Sequence, residues 1–513
     1  MGQTTLILMI LTVISKIFGF VRESVMAAFI GAGELKSVYT TANTIPLLIS
    51  NIIAGGIVAG YIPMYNKVKN DMGEDEAKSF TSNLINILMI FALISLALVF
   101  VFAKQISKLL SPGLDGQWLD LAANYTRIIM FTVFAFLYAS VIKGYLNLKD
   151  NFIDPAISGL IINVLIIFTI ILFYKFQNPY LLIIGALVSN IIQYVRFPYV
   201  AKKLGYEHKR FINFRDPYLK LMLILSVPII LSSAAGEISI IVDNAMGSAF
   251  FGKESVAHIY YAKTMLGFVL GVITMTVTTV TYPEIAKLGQ KSLISKMKVK
   301  VRSAVILALV LVVPAAFGMI VLANPIIELA FQRNAFTSSD TYIVASLMKF
   351  YAPYVIFWSI TKIVSNSFYS IGSPKIPVII ILLQQFINLV LNIVLINFFD
   401  LNGLAFATTI STAIGCLLII KKFSDTFGKS NDKFYISIMK ILIASTLMST
   451  IARLSFSFMI GKFNLTLSLF LSVIISGLIY SLIIYLSNIE EIEKYLVSFF
   501  KSRSKKWTIY LKK

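Results

Sequence analysis

Long apolar segments separated by short polar connections recur along nearly the whole chain. About fourteen of these segments are long and apolar enough to cross a bilayer as helices, since a spanning helix needs roughly 20 such residues. They cover residues 5–30, 38–63, 80–103, 121–147, 154–176, 179–200, 217–249, 256–283, 302–323, 341–370, 375–399, 402–421, 434–460 and 465–488. The pattern predicts an all-α polytopic membrane protein with about 14 transmembrane helices.

Composition agrees with this class. Of the 513 residues, 58% are hydrophobic and 13% are charged, whereas an ordinary soluble domain carries about 25% charged residues. The formal net charge of +21 is read as cytoplasmic-loop charge that meets anionic membrane lipids, so we expect no nucleic-acid partner.

The basic residues also predict the orientation. They concentrate after spans six, eight and twelve, in residues 202–215, 287–300 and 421–433, and again in 501–506 at the end of the chain. Cytoplasmic connections are enriched in lysine and arginine. We therefore expect both termini in the cytoplasm, and a basic amphipathic cytoplasmic tail over residues 491–513.

An internal repeat relates the two halves of the chain. The motif at 28–31 (AFIG) ends span one, the motif at 249–252 (AFFG) ends span seven, and an offset of 221 residues connects them. Six spans per copy is an even number, so both copies share one orientation. We expect two parallel six-helix lobes, 1–205 and 206–425, followed by two C-terminal helices within 426–490.

Two basic residues, Lys16 and Arg22, lie inside the first apolar span. Each charge within a membrane costs on the order of 3 kcal/mol, so such charges indicate a watery cavity, a partner or a ligand. The repeat offset places Glu237 opposite Lys16 and Asp243 opposite Arg22. Two interpretations stay open here: gating ion pairs between the lobes, or a cationic ligand site in one lobe and an acidic site in the other.

Several motifs resemble the MurJ (MviN) family of lipid II flippases. They are residues 15–23 (SKIFGFVRE), 29–33 (FIGAG), 45–46 (IP) and 260–262 (YYA). The span count and repeat are similar to the wider multidrug/oligosaccharidyl-lipid/polysaccharide exporter superfamily. The resemblance implies lobes around a central cavity in the bacterial cytoplasmic membrane. It also implies movement of undecaprenyl-pyrophosphate-linked peptidoglycan precursor from the inner to the outer leaflet.

The chain departs from the family pattern at several positions. Ser50 and Asn51 stand where many members carry two arginines, and Ser37 stands at an acidic position. Lys263 keeps a positive charge that other members place one residue later. Lys16 replaces a frequent arginine, which keeps the charge but loses the planar fork that grips phosphate.

These residues form the expected substrate site. Arginine and lysine suit a pyrophosphate, one through bidentate donors and the other as a mobile point charge. Ser15, Gly19 and Arg22 share one helix face, so a ligand or a neighbouring helix could approach closely there. The expected substrate-binding residues are Lys16, Arg22, Lys263, Ser15, Glu23, Asn43, Ser50 and Asn51.

A second group of polar residues has only oxygen ligands to offer. Asp243, Asn388, Asn392 and a threonine at 408 or 409, here taken as Thr409, make a set suited to a hard cation. The resemblance implies Na⁺ at such a place, and hydrogen-bonded helix packing is the alternative. We expect no cofactor beyond a coupling ion, Na⁺ or H⁺.

Three other functions compete with lipid II transport. The same architecture could move another polyprenyl-linked precursor, of the capsule, O-antigen or teichoic type, or act as a cation-coupled drug antiporter. A membrane-embedded transferase would usually carry acidic or histidine residues on a sizeable loop, and the sequence has no such cluster. We therefore expect a transporter rather than an enzyme, acting as a monomer.

Overall fold

The computed structural model describes residues 2–428 and 432–491, and every regular element in those ranges is helical. The predicted all-α class is thereby confirmed. The predicted basic tail, 491–513, lies outside the described residues from position 492 onward.

The first eight helices cover the N-terminal part of the chain. They are α1 (Gly2–Ile30), α2 (Glu34–Met72), α3 (Glu74–Leu110), α4 (Gly116–Ile129), α5 (Thr132–Leu148), α6 (Ile153–Phe176), α7 (Tyr180–Ile192) and α8 (Arg196–Lys203). Helices α4 and α5 together form one candidate span, and α7 and α8 form another.

Eleven helices follow in the remainder. They are α9 (Pro217–Phe251), α10 (Ser255–Val269), α11 (Met275–Gln290), α12 (Ile294–Val321), α13 (Ala323–Phe331), α14 (Ser338–Tyr351), α15 (Tyr354–Ser370), α16 (Lys375–Phe399), α17 (Leu401–Phe427), α18 (Asp432–Met459) and α19 (Leu465–Leu486). A π-helical turn, Leu270–Thr274, joins α10 to α11 without a break.

Among the described residues, twelve helices or continuous helix pairs are long and apolar enough to cross a membrane. The pair α14–α15, which bends by 42°, would make a thirteenth span. Helix α1 is not among these, yet its 29 residues would rise about 43 Å, more than the ~30 Å hydrocarbon core. Each predicted apolar segment falls on a helix, and the exact count of fourteen stays a prediction.

Helices α1 and α9 end in the same way, at positions related by the repeat offset. Gly31 follows α1 with φ +75°, and Gly252 follows α9 with φ +87°. Glycine adopts this left-handed region without the steric cost of a side chain. The next helices then begin at Glu34 and Ser255, which the same offset relates. The chain therefore turns alike at both places, as the internal repeat predicts.

Internal contacts divide the chain into two compact units, each built from separated stretches. Unit 1 comprises Met1–Tyr261, Ala330–Val344 and Ile381–Leu404. Unit 2 comprises Ala262–Leu329, Ala345–Ile380 and Ala405–Lys513. The lobe boundaries expected from the repeat, 1–205 and 206–425, stay predictions.

Unit 1 contains a buried aromatic cluster where α2, α3 and α5 meet. The rings of Tyr61 and Phe80 stack with centroids 6.3 Å apart, and Tyr65 meets Tyr145 edge-on at 5.9 Å. The Tyr61 hydroxyl is 2.8 Å from Thr81 Oγ1, which satisfies its polar end inside the core. This cluster anchors the cytoplasmic half of α2 expected from the charge pattern.

Unit 2 has a core centred on α12, which packs against α15 and α18. Pro314 lies inside α12 and has no N–H to give to the carbonyl of Val310, one turn earlier. The Tyr480 hydroxyl of α19 donates to that carbonyl at 2.7 Å. A tyrosine thus replaces the backbone bond that the proline removes, and it ties α19 to α12.

Helices α16 and α17 are joined by one residue, Asp400, which adopts φ +50°. Their close approach requires Gly403, because a Cβ there would overlap the backbone of Leu395. All of these residues belong to unit 1. The chain therefore passes from α16 to α17 in a tight turn.

Candidate functional site

Arg22, one of the two basic residues inside α1, forms an ion pair within its own helix. Arg22 Nε donates to Glu23 Oε1 at 3.0 Å, and Nη2 also contacts Oε1. Neighbouring residues on a helix point about 100° apart, so the long guanidinium stem bends around the helix to reach the carboxylate. The Arg22 side chain keeps 23% of its surface exposed, whereas Glu23 keeps 4%. The carboxylate is thus buried, whereas part of the Arg22 side chain is exposed.

Lys36, in the first turn of α2, completes this cluster and was missed by the sequence reasoning. Its Nζ lies 3.4 Å from Glu23 Oε2, and its side chain is 1% exposed. The residue lies close to a predicted turn, where a lysine ordinarily reaches solvent. Span two is predicted to begin at residue 38, which left position 36 in the connection.

Aromatic rings surround the lysine. Lys36 Nζ lies 4.0 Å from the ring centroid of Tyr260, 5.1 Å from that of Tyr261 and 5.5 Å from that of Tyr39. The Tyr260 hydroxyl also donates to Glu23 Oε1 at 2.9 Å. Within unit 1, α1, α2 and α10 therefore hold one buried carboxylate between two cations.

Lys16 and Ser15 have different surroundings. Lys16 is exposed, and among the residues that the structure describes it has no ion pair. Ser15 and Gly19 pack against α6, where Asn163 Nδ2 donates to the Ser15 carbonyl at 3.1 Å. A Cβ on Gly19 would lie 3.6 Å from that same amide nitrogen. The small-residue face of α1 thus receives a neighbouring helix.

The polar residues expected in span two divide into two groups. Asn43 Nδ2 donates to the carbonyl of Tyr39 in its own helix at 2.8 Å, and Ser50 is half-buried. Asn51 Nδ2 reaches α9 and donates to Glu237 Oε1 at 2.9 Å. Glu237, the expected gating partner of Lys16, is therefore bound by an amide in this structure.

Lys263 belongs to unit 2 and is half-buried. Its Nζ lies 5.6 Å from the ring centroid of Tyr351, within the range of a cation–π interaction. Its membership of a three-cation substrate site with Lys16 and Arg22 stays a prediction.

Three of the four residues expected to hold a cation meet in unit 1. Asn392 Nδ2 donates to Asp243 Oδ1 at 2.9 Å and lies 3.5 Å from Asn388 Oδ1, which also accepts from Ser239 at 3.0 Å. Asp243 and Asn392 are fully buried. The fourth, Thr409, lies in unit 2, where its hydroxyl donates to the Phe350 carbonyl at 2.6 Å.

The carbonyl oxygen of Asn392 has no hydrogen-bond partner. A buried acceptor without a partner costs about 1–3 kcal/mol. Asp243 and Asn388 offer oxygen ligands, which suit Na⁺ rather than a soft metal, but in this structure both accept from the Asn392 amide nitrogen. The side chains therefore have the chemistry for a hard cation, with the Asn392 oxygen as the group that a cation would satisfy.

Unit 2 contains an apolar cavity of about 730 Å³ between α12, α18 and α19. Gly318 of α12 and Gly477 of α19 line it, and a Cβ on either would meet nothing within 4 Å. Tyr480 closes part of its wall through the bond to α12 described above. The cavity has the chemistry of a hydrocarbon site.

Comparison with known proteins places these features in a family. Residues 26–474 match the family model described as lipid II flippase MurJ. A probable lipid II flippase MurJ of Buchnera aphidicola subsp. Acyrthosiphon pisum is 28% identical over 96% of this chain and 98% of its own. One from Rickettsia prowazekii is also 28% identical, over 88% of this chain and 90% of its own.

Solved structures agree on the fold. A lipid II flippase MurJ in an inward closed conformation superimposes with a TM-score of 0.80 at 23% identity, covering 93% of this chain and 98% of that one. An inward-facing multidrug resistance transporter of the MATE family, in the MOP superfamily, gives 0.66 at 14% identity, covering 84% and 96%. The chain belongs to the MurJ family of lipid II flippases.

Proposed function

We propose that this protein moves lipid II from the inner to the outer leaflet of the bacterial cytoplasmic membrane by alternating access. The observation that carries the proposal is the charge cluster of unit 1, in which Glu23 is outnumbered by Arg22 and Lys36 within apolar helices. A surplus positive charge inside a membrane protein is suited to an anionic cargo. Family membership supports the identity of that cargo.

The diphosphate of the cargo would interact with Arg22, whose side chain is partly exposed, and with Lys16. The planar fork of Arg22 can donate two parallel hydrogen bonds to phosphate oxygens. Lys16 would add a mobile ammonium from the same helix, and Lys263 a third cation. We orient both termini toward the cytoplasm, so Lys16 lies on the cytoplasmic side of Arg22 in α1 and the cargo would meet Lys16 first.

A coupling cation would use Asp243, Asn388 and Asn392, with Thr409 as the predicted fourth ligand. Na⁺ fits the all-oxygen set, and H⁺ on the Asp243 carboxylate is the alternative. The unpartnered Asn392 oxygen supports the first choice. Cation binding would bias the transport cycle by favouring one conformation over another.

The polyprenyl tail of the cargo would lie in the apolar cavity of unit 2. Its lining of α12, α18 and α19 side chains offers hydrocarbon contact while the headgroup stays with the charged residues. We propose that the protein acts as a monomeric transporter without enzymatic activity and meets anionic lipids at its cytoplasmic face.

The alternatives have weaker support. The MATE likeness, at 14% identity, concerns the fold alone. A small drug cation would be repelled by the surplus positive charge near Arg22. A flippase for another polyprenyl-linked glycan would use the same charges, so only the cargo assay separates it from a lipid II flippase.

The test measures outer-leaflet exposure of labelled lipid II in cells depleted of their own flippase. Wild type should restore exposure, and the double substitution of Arg22→Ala with Lys16→Ala should abolish it. The control, Lys104→Ala, removes a lysine that pairs with Asp120 at 2.6 Å on the surface and should leave exposure unchanged. Full rescue by the double variant would refute the cationic headgroup site. Failure of a well-expressed wild type would indicate another glycan.

A further inference from the structure

We propose that Lys36 is a positioning residue that sets how much positive charge Arg22 presents to the diphosphate. This inference rests on the proposed function, because it deepens the account of the same site. Lys36 would act through Glu23, without touching the cargo.

Burial separates the roles of the two cations. The side chain of Lys36 is 1% exposed and that of Arg22 is 23% exposed. A ligand entering from water or lipid can therefore reach part of the Arg22 side chain, whereas Lys36 is closed to it. Any effect of Lys36 on the cargo has to pass through the groups that it touches inside unit 1.

The carboxylate of Glu23 has two oxygens, and each one has its own partners. Oε1 accepts hydrogen bonds from Arg22 and from the Tyr260 hydroxyl. Oε2 faces Lys36 Nζ at 3.4 Å. The negative charge is thus shared between two cations, so Arg22 is only partly neutralised by its neighbour.

Loss of the lysine charge would change this balance. One carboxylate would then face one guanidinium, and the pair would be neutral. An incoming diphosphate would have to compete with Glu23 for Arg22 in a low-dielectric site, where ion pairs are strong. With Lys36 present, the three groups carry one surplus positive charge, and Arg22 is where that charge meets the ligand.

The aromatic residues explain how a buried ammonium is tolerated. Tyr260 places its ring centroid 4.0 Å from Nζ, and Tyr39 and Tyr261 lie within 5.5 Å. Ring faces attract a desolvated cation. Tyr260 also donates to Glu23, so it holds both ends of the buried ion pair in place.

The experiment measures pyrophosphate binding to the purified full chain in nanodiscs. The probe is a short polyprenyl pyrophosphate, and the matching polyprenyl alcohol reports binding of the tail alone. Lys36→Met should weaken pyrophosphate binding about tenfold or more, as expected for a weakened charge-assisted hydrogen bond, without changing alcohol binding. Lys36→Arg should bind within about threefold of wild type.

The decisive variant is the double substitution of Lys36→Met with Glu23→Gln. It removes both buried charges and restores the surplus charge on Arg22, so binding should return to within about threefold of wild type. Glu23→Gln alone should bind at least as tightly as wild type. The control pair, Lys149→Met and Glu74→Gln, removes a 2.6 Å ion pair elsewhere in unit 1 and should leave binding unchanged.

Equal loss of binding in Lys36→Met and in the double variant would overturn the inference, because packing rather than charge would then explain the loss. Unchanged binding in Lys36→Met would overturn it as well. If Lys36→Met does not fold, Glu23→Gln and the double variant are each compared with wild type. Loss of pyrophosphate binding in the double variant alone would then overturn the inference. A wild type that binds alcohol and pyrophosphate equally would instead refute the proposed diphosphate site itself.

Discussion

Asn51 of α2 donates to Glu237 of α9 through a 2.9 Å hydrogen bond. The internal repeat aligns Glu237 with Lys16, yet in the structure the Glu237 carboxylate accepts a hydrogen bond from the neutral amide of Asn51. Asn51 itself stands where many family members carry an arginine. An amide in that place holds the carboxyl group through a hydrogen bond and supplies no positive charge.

The first prediction concerns this bond. In a double-mutant cycle with Asn51→Ala and Glu237→Ala, the coupling free energy should be about 1 kcal/mol, the usual net worth of such a hydrogen bond. Thermal unfolding of the purified protein in detergent supplies the four stabilities. Additive effects within about 0.3 kcal/mol would show that the two side chains do not interact.

A second prediction compares two glycines in the turn after α1. Gly31→Ala should destabilise the protein by about 2 kcal/mol or more, because the position has φ +75° and a Cβ there would lie 2.5 Å from the Ala335 carbonyl oxygen. Gly33→Ala is the matched control, since Gly33 has φ −80° and no atom within 4 Å of a new Cβ. Equal melting temperatures for the two variants would contradict this.

A third prediction concerns the cation. Replacing Asn392 by aspartate adds a second carboxylate beside Asp243, so Na⁺ should raise the melting temperature of Asn392→Asp more than that of wild type. Choline chloride at equal ionic strength is the reference salt. Asp243→Asn should remove the Na⁺ effect from the wild-type background. A sodium response that survives Asp243→Asn would place the cation elsewhere.

The apolar cavity of unit 2 gives a fourth prediction. Gly477→Leu places a side chain in open space, so the melting temperature should hold while lipid II exposure falls severalfold. Gly461→Leu, at another glycine with nothing within 4 Å, should preserve both. Normal transport by Gly477→Leu would exclude the cavity as the site of the polyprenyl tail.

Much of the fold could be predicted from the sequence, because a membrane-spanning helix is set by a local property, its run of apolar residues. Each expected segment lies on a helix, and the glycines at 31 and 252 mark equivalent helix ends. The breaks within spans could not be predicted from the sequence. The π-helical turn at Leu270–Thr274 and the division between α4 and α5 depend on packing against other helices.

Only part of the charged site could be predicted from the sequence. Arg22 stood out because the middle of an apolar helix is a costly place for a charge. Lys36 lies near a helix end, where a charge is common, and only the folded chain shows it buried against Glu23 and three tyrosine rings.

The one-residue connection at Asp400 has a consequence for biosynthesis. Helices α16 and α17 leave no polar loop between them, so the machinery that inserts the nascent chain has almost nothing hydrophilic to carry across at this point. Insertion of α16 and α17 would therefore move one carboxylate, Asp400, and no extended polar loop across the bilayer. Membrane insertion of this part of the protein would then require translocation of very little polar chain.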